Sequence, residues 1–298
     1  MKRKMTMVLA AMMAVGLMAG CSSGTSAETE AAAANEQTEV ETQESSQEES
    51  AEETSQEETE AAAEGAQTEI LVAAAASLKN AYEEELIPMF QEQNPGITVT
   101  GTYDSSGKLQ TQIEEGLEAD VFMSAATTQM DALNEEGLID SETMVDLLEN
   151  KIVLIVPSSS ELGLASFEDI AKAETIALGD PASVPAGQYA EEALTNLGIW
   201  DEIQDKVSFG TNVTEVLNQV AAASADAGIV YATDAASMAD QVTVIAEAPE
   251  GSLAQPVIYP VAVVKTTAHA EAAKAFVDFL QTDEAMAVFE SYGFAPGQ

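Results

Sequence analysis

Glu69-Ile-Leu-Val-Ala-Ala-Ala-Ala-Ser77-Leu78, followed by Tyr82, Leu86 and Phe90, is the stretch from which the fold of this chain can be read. Glu69 to Ala75 is a short apolar run of strand type. Leu78, Tyr82, Leu86 and Phe90 then recur at every fourth residue, which places them on one stripe of a helix about four turns long. A strand therefore feeds a helix, and the alternation continues outward. Pro95-Gly96 turns the chain into a strand over Ile97 to Tyr103, and Ser105-Ser106-Gly107 precedes a helix marked by Leu109, Ile113 and Leu117. Asp120-Val-Phe-Met-Ser124 is a further strand, with Met130, Leu133 and Leu138 in the helical stretch after it. Lys151-Ile-Val-Leu-Ile-Val-Pro157 is apolar throughout, as expected where helices cover both faces of a parallel sheet. The pattern restarts at Thr175-Ile-Ala-Leu178 with helices across Gln188 to Leu197 and Val213 to Ala222. Strands near Val207 to Phe209, Gly228 to Tyr231, Val242 to Ala246 and Tyr259 to Val264 follow this pattern, before two C-terminal helices at about 268–280 and 283–292. About nine strands within residues 68–298 are too many for one simple sheet, so the expected class is α/β in two lobes with right-handed crossovers.

Composition narrows the chemistry. Of 298 residues 46% are apolar, enough to build real cores, which excludes a wholly disordered chain. Lys plus Arg total 10 against 52 Asp plus Glu, a formal charge of −42, and a field of that sign repels nucleic acid phosphates and anionic lipid headgroups. One cysteine, Cys21, and one histidine, His269, supply neither a Cys/His zinc site nor a CxxC redox pair nor an intramolecular disulfide. A Ser-His-Asp triad would have to use His269.

Residues 1–20 read as a signal peptide, with Lys2, Arg3 and Lys4 as its basic start and an apolar stretch, Met5 to Met18, too short to span a bilayer comfortably. Leu17-Met18-Ala19-Gly20-Cys21 resembles the lipobox of bacterial lipoproteins, which implies lipidation of Cys21 and an extracytoplasmic protein anchored to the cell membrane. Several acyl chains, at about 0.8 kcal/mol per buried CH2, anchor a protein stably. Between Ser22 and Gln67 stand 14 Glu, no Lys or Arg and no aromatic residue, a composition that cannot bury enough apolar surface to offset ordering entropy. Residues 21–67 are thus expected to form a lipidated, self-repelling tether. Residues 68–298 keep 38 acids against 7 bases, so the folded part is itself strongly acidic.

Ligands of open α/β sheets gather beyond the carboxyl ends of the strands, near helix N-termini. Ser77 and Ser105-Ser106-Gly107 both stand where a strand passes into a helix. Each serine can offer a hydroxyl and a backbone N–H beside the positive end of a helix dipole. Each can equally be an N-cap contributing about 1 kcal/mol to its helix.

Six segments carry a resemblance. Ala73-Ala-Ala-Ala-Ser77-Leu78, Ser105-Ser106-Gly107-Lys108-Leu109, Ala119-Asp120-Val121-Phe122-Met123-Ser124-Ala125, Gly179-Asp180-Pro181 with Val184-Pro185-Ala186-Gly187-Gln188-Tyr189-Ala190, Gly228-Ile229-Val230-Tyr231, and Tyr259-Pro260-Val261-Ala262-Val263-Val264 resemble the molybdate-binding component of ABC-type importers, in order from Ile70 to Phe294. The resemblance implies an α/β, two-lobed periplasmic-binding-protein type II fold, each lobe a mainly parallel sheet flanked by helices, with the ligand cleft between lobes. It implies crossings near Asn150 to Val156 and near Gln255 to Val261, making residues 68–152 and 257–298 lobe I and 153–256 lobe II. It implies a non-enzymatic receptor, with no cofactor and no catalytic residue, that captures molybdate, and tungstate with it, for a membrane permease and its ATPase. The implied contacts are Ser77 and Ser106 from the first lobe and Ala186, Val213 and Tyr231 from the second, with molybdenum held only as the oxyanion and the receptor a monomer. Ala186 and Val213 have no polar side chain, so their part is a backbone N–H.

Such a site suits an acidic protein, because a divalent tetrahedral oxyanion needs donors on every oxygen and hydroxyls with peptide N–H groups provide them without a counter-charge. Asp104 and Lys108 depart from the family's small-residue loop; Asp104 is expected to cap the following helix or face solvent, and Lys108 to be solvated. Trp200 is expected to anchor packing and His269 to lie exposed near a helix start. A receptor for sulfate or another tetrahedral oxyanion on the same fold is the alternative. An extracytoplasmic enzyme using cleft serines is the third reading, and no loop pairs His269 with a nucleophile in its favour.

Overall fold

A computed structural model of the chain describes residues 67–297; the signal peptide, Cys21 and all of the tether but Gln67 lie outside the described residues. Eleven strands form two sheets. In the first, β1 (Thr68–Ala75) lies between β2 (Ile97–Asp104) and β3 (Val121–Met123), both parallel to it. These three are joined by helical crossovers, which is why they run the same way. β10 (Val257–Val263) pairs antiparallel with β3 and with β4 (Val145–Asn150), and β11 (Ala295–Pro296) closes the edge on β4. The second sheet runs in the order β7 (Val207–Gly210), β6 (Ile176–Gly179), β8 (Ala227–Tyr231), β5 (Ile152–Pro157), β9 (Val242–Glu247).

Most strands of each sheet run the same way, as expected, with β10 and β11 reversed in the first and β5 in the second. β6 pairs parallel with β7 and β8, but β5 is antiparallel to both β8 and β9. The cause is the connection between lobes: β4 leaves the first sheet at Asn150, β5 begins the second at Ile152, and β10 returns after β9. A strand that arrives from the other lobe, with no crossover helix of its own, is free to pair antiparallel. Burial of β5 on every residue reflects its place between two neighbours rather than a parallel setting.

Two strands carry no legible pattern. β4 reads Val-Asp-Leu-Leu-Glu-Asn, where the adjacent buried Leu147 and Leu148 break alternation. β11 is two residues long and ends in Pro296, which is tolerated because it lies at a sheet edge.

The helical run after β1 spans 76–93 but is not one regular helix: it passes from a 3-10 turn (Ala76–Leu78) through a π turn (Tyr82–Leu86) to an α segment (Ile87–Gln93). The π turn falls where an α-helix would press the Pro88 ring against the Glu84 carbonyl. The predicted stripe nonetheless points inward, with Leu78, Tyr82, Leu86 and Phe90 all fully buried. Phe90 meets Phe276 and Phe279 of the helix Ala270–Leu280, with ring centroids 5.0 and 5.4 Å away.

His269 precedes that helix, half exposed, its Nδ1 3.3 Å from Oδ1 of buried Asp120, and Trp200 packs partly buried against the main hydrophobic core. Among the described residues no helix is long and apolar enough to cross a membrane. Phe90→Ala should cost about 3–5 kcal/mol of unfolding free energy, measured in denaturant, because the aromatic cluster cannot collapse onto the vacated volume; a loss under about 1 kcal/mol would show that the stripe is not what fastens this helix.

Candidate functional site

Three of the candidate residues are brought into one assembly, made of two hydrogen-bonded groups joined by an aromatic contact. Ser77 follows β1 in the first turn of the helical run, and its Oγ lies 3.0 Å from the Tyr259 hydroxyl. Ser106 opens the helix Ser106–Glu114 and is fully buried; its Oγ accepts from Ala125 N–H at 3.0 Å. The Tyr231 hydroxyl, at the end of β8, donates to the Ala125 carbonyl at 3.3 Å. Tyr231 and Tyr259 stack edge to face with centroids 5.5 Å apart. Ala125 thus receives Ser106 on its N–H and Tyr231 on its carbonyl, while Tyr259 ties Ser77 to the same group from the other side. Asn150, at the crossing between sheets, donates to the Tyr259 hydroxyl at 3.3 Å and to Thr233 Oγ1 at 2.9 Å.

The capping alternative does not describe these serines. The helix opened by Ser106 has Ser105 at its cap position and no side-chain cap bond, and the turn holding Ser77 is likewise uncapped by a side chain. Their hydroxyls are spent on the assembly instead. Ser106 accepts through its lone pair, which leaves its own hydrogen to donate.

Ala186 and Val213 occupy the second and first positions of the helices Pro185–Asn196 and Val213–Ala221, and both are buried. Gly187 allows this placement: a Cβ there would stand 2.1 Å from the Gly179 carbonyl oxygen, so only glycine lets the helix start lie against β6. First-turn N–H groups have no intrahelical acceptor. Among the turn, loop and cap hydrogen bonds of the described residues, the N–H groups of Ser77, Ser106, Ala186 and Val213 find none either. The two loops that carry Ala186 and Val213 are each tied to the Ser106 loop, by Gly107 N–H on the Ser183 carbonyl (3.0 Å) and by Asn212 Nδ2 on Asp104 Oδ1 (3.2 Å).

A cavity of about 150 Å3 between the lobes is bordered by Ser77, Lys79, Thr214, Thr233 and Asp234, and Ser77 alone of the five candidates borders it. The other four are closed over by the assembly and by the loop contacts.

Electrostatics favour donation. Burial, reinforced by neighbouring phenols and by Asp234, pushes the hydroxyls of Tyr231 and Tyr259 well above the usual tyrosine range, so both keep their protons. Asp234 is itself buried, with no hydrogen-bond partner for Oδ2, and desolvation pushes its carboxyl up to about 7. No group of three His, Cys, Asp or Glu side chains converges as a cation site among the described residues.

Asp104 corrects the expectation of a cap or a solvated side chain. Its Oδ1 accepts from Ser105 N–H (2.8 Å), from Lys108 Nζ (3.1 Å) and from Asn212 across the cleft. Lys108, its side chain 34% exposed, pairs with Asp104 while keeping contact with solvent. Ala125, Asn150 and Asp234 were not legible as site residues. Tyr259 and Ala125 lay inside quoted segments, but only pairing with Ser77 and Ser106 reveals their part.

A two-lobed α/β chain with its polar assembly seated between two sheets has the architecture of a periplasmic binding protein. Residues 70–295 match the bacterial extracellular solute-binding proteins, and the chain belongs to that family. It is 42% identical over 225 residues to YvgL of Bacillus subtilis, which carries the name of an ABC transporter substrate-binding lipoprotein, across 76% of this chain and 85% of that one. Identity to the molybdate-binding protein ModA of Haemophilus influenzae is 40% over 238 residues, covering 77% of this chain and 91% of ModA. A solved structure described as the substrate binding domain of a molybdenum ABC transporter from Clostridium difficile superposes with a TM-score of 0.61 at 37% identity, covering 78% of this chain and 100% of that chain.

Asp234 makes stability fall with rising pH. Its unfolded carboxyl titrates near 4 and its folded one near 7, so between about pH 4 and 7 the unfolded chain has released a proton the folded one retains, and unfolding is increasingly favoured until the effect levels off above 7. Asp234→Asn, which copies the protonated acid, should flatten the decline of thermal midpoint across that window; parallel pH profiles for the variant and the parent protein would refute the assignment.

Proposed function

We propose that this chain is the substrate-binding component of an ABC importer that captures molybdate between its lobes and delivers it to a membrane permease driven by an ATPase. Ser77 and Ser106 hold the anion from one lobe and Ala186, Val213 and Tyr231 from the other. The observation that carries this reading is the set of four N–H groups, Ser77, Ser106, Ala186 and Val213, that find no acceptor among the turn, loop and cap hydrogen bonds of the described residues, with the loops of Ala186 and Val213 tied to that of Ser106.

Hydroxyls and peptide N–H groups match a guest whose every oxygen is an acceptor. Neither metal coordination nor a counter-charge is required. The long-range field of a strongly acidic protein opposes approach of an anion, so binding relies on dipoles acting at short range in a closed, dry cleft. Each lobe holds only part of the donor set, and the guest therefore favours the closed arrangement by differential contact. Tungstate, with the same charge and shape, is taken as well.

The chain is a receptor and not an enzyme, as the solute-binding family to which it belongs implies. It works outside the cytoplasm as a monomer, held to the cell membrane by lipid on Cys21, a reading that the lipobox-like Leu17 to Cys21 supports.

Calorimetric titration with molybdate, tungstate, sulfate and phosphate tests the assignment. Heat is expected with the first two; folded protein that gives none with either overturns it, and heat with sulfate alone reassigns the receptor to that anion. Ser106→Ala should weaken molybdate binding at least about tenfold, since one buried charge-assisted hydrogen bond is worth about 1.5–3 kcal/mol. Unchanged affinity would remove Ser106 from the site.

A further inference from the structure

Around the Ser106 loop the two lobes touch through backbone and side chain together. Gly107 N–H donates to the Ser183 carbonyl at 3.0 Å, and Asn212 Nδ2 donates to Asp104 Oδ1 at 3.2 Å. Each partner lies beside a candidate donor: Asp104 and Gly107 bracket Ser106, Ser183 leads into the helix start at Pro185-Ala186, and Asn212 immediately precedes Val213. Asn212 acts at both ends of its amide, because its Oδ1 accepts from Glu215 N–H at 2.9 Å and so caps the helix Val213–Ala221. Any shift of Asn212 toward Asp104 therefore carries the Val213 N–H with it.

Gly107 marks the closest backbone approach. A Cβ at this position would stand 2.5 Å from the Ser183 carbonyl oxygen and 2.8 Å from the Ser183 Cα. Both are main-chain atoms, which can withdraw only if the lobes part. Gly107 does not have a positive φ and sits in the first turn of a helix, so alanine suits its own backbone. The clash belongs to the closed arrangement alone. Asp104, the departure from a small-residue loop, has its charge matched by Lys108 Nζ at 3.1 Å and by Ser105 N–H at 2.8 Å, which keeps it from standing bare beside an anion.

We infer that Asp104 and Gly107 form a closure latch that seats on Asn212 and Ser183 and sets the separation between the donors of the two lobes. The inference rests on the oxyanion reading of the cleft and concerns what holds it shut. Asp104 and Gly107 are positioning residues: they act through Ser106, Ala186 and Val213. Their contacts form only after the lobes meet, so their loss speeds release of the guest and leaves capture nearly unchanged.

The full-length protein and its Gly107→Ala, Asp104→Ala and Asp104→Asn variants are compared by release of radiolabelled molybdate after dilution, by small-angle scattering with and without saturating molybdate, and by the thermal midpoint without it. Gly107→Ala is expected to release molybdate at least about tenfold faster, to keep a midpoint equal to or above that of the parent protein, and to stay at the open radius of gyration when molybdate is saturating. Asp104→Ala should also release faster, while Asp104→Asn, which keeps an oxygen acceptor for Asn212, should remain within about threefold of the parent protein. If Gly107→Ala does not fold, the contrast between the two Asp104 variants decides. Parent-like release and contraction in both alanine variants overturn the latch while leaving the receptor reading intact; a parent protein that binds no molybdate overturns both.

Discussion

A peptide N–H shut away from water without an acceptor is costly, by about 1–3 kcal/mol, and a folded chain rarely tolerates several. Four N–H groups that find no acceptor among the turn, loop and cap hydrogen bonds of the described residues come from separate loops: Ser77 and Ser106 beside the sheet of β1, Ala186 and Val213 beside the sheet of β6. In the proposed site an acceptor-only guest would pair these donors together. That constraint explains why the loops start helices, why glycine stands at 107 and 187 where main chains crowd, and why the phenols of Tyr231 and Tyr259 are buried deeply enough to keep their protons.

Charge would be the obvious way to hold a dianion, and the proposed site does without it. Lys108 lies in the right loop, yet it is matched to Asp104 rather than directed at a guest. Asp234, close to Tyr231 and Tyr259, would be a repulsive neighbour if ionised; desolvation raises its pKa and reduces that repulsion. In a dry cleft neutral dipoles act at low dielectric, where they are stronger than in water.

Both lobes depend on the short passages between sheets. Asn150 closes β4, donates to Tyr259 in one lobe and Thr233 in the other, and accepts from Lys151 N–H at 2.8 Å through its own Oδ1. A side chain satisfied on all these partners fixes the crossing while leaving the lobes joined by little else of regular structure there. The antiparallel entry of β5 and the return of β10 are consequences of the same passages.

Much of this was written in the chain itself. The four-residue stripe Leu78, Tyr82, Leu86, Phe90 specified a buried helix face, because local periodicity is a property of sequence alone. The strand-to-helix passages put Ser77 and Ser106 at helix starts on the same grounds, and the order of six motifs carried the family. Strand direction was not legible: β5 is apolar whether its neighbours run parallel or antiparallel, and the adjacent Leu147 and Leu148 hid β4. Ala125, Tyr259, Asn150 and the bond from Asn212 to Asp104 join residues between 19 and 182 positions apart. Pairings over such separations depend on how the sheets are ordered and how the lobes meet, and no window of sequence contains that geometry. Local chemistry therefore put the candidate residues at helix starts, and only the folded chain decided which side chains meet.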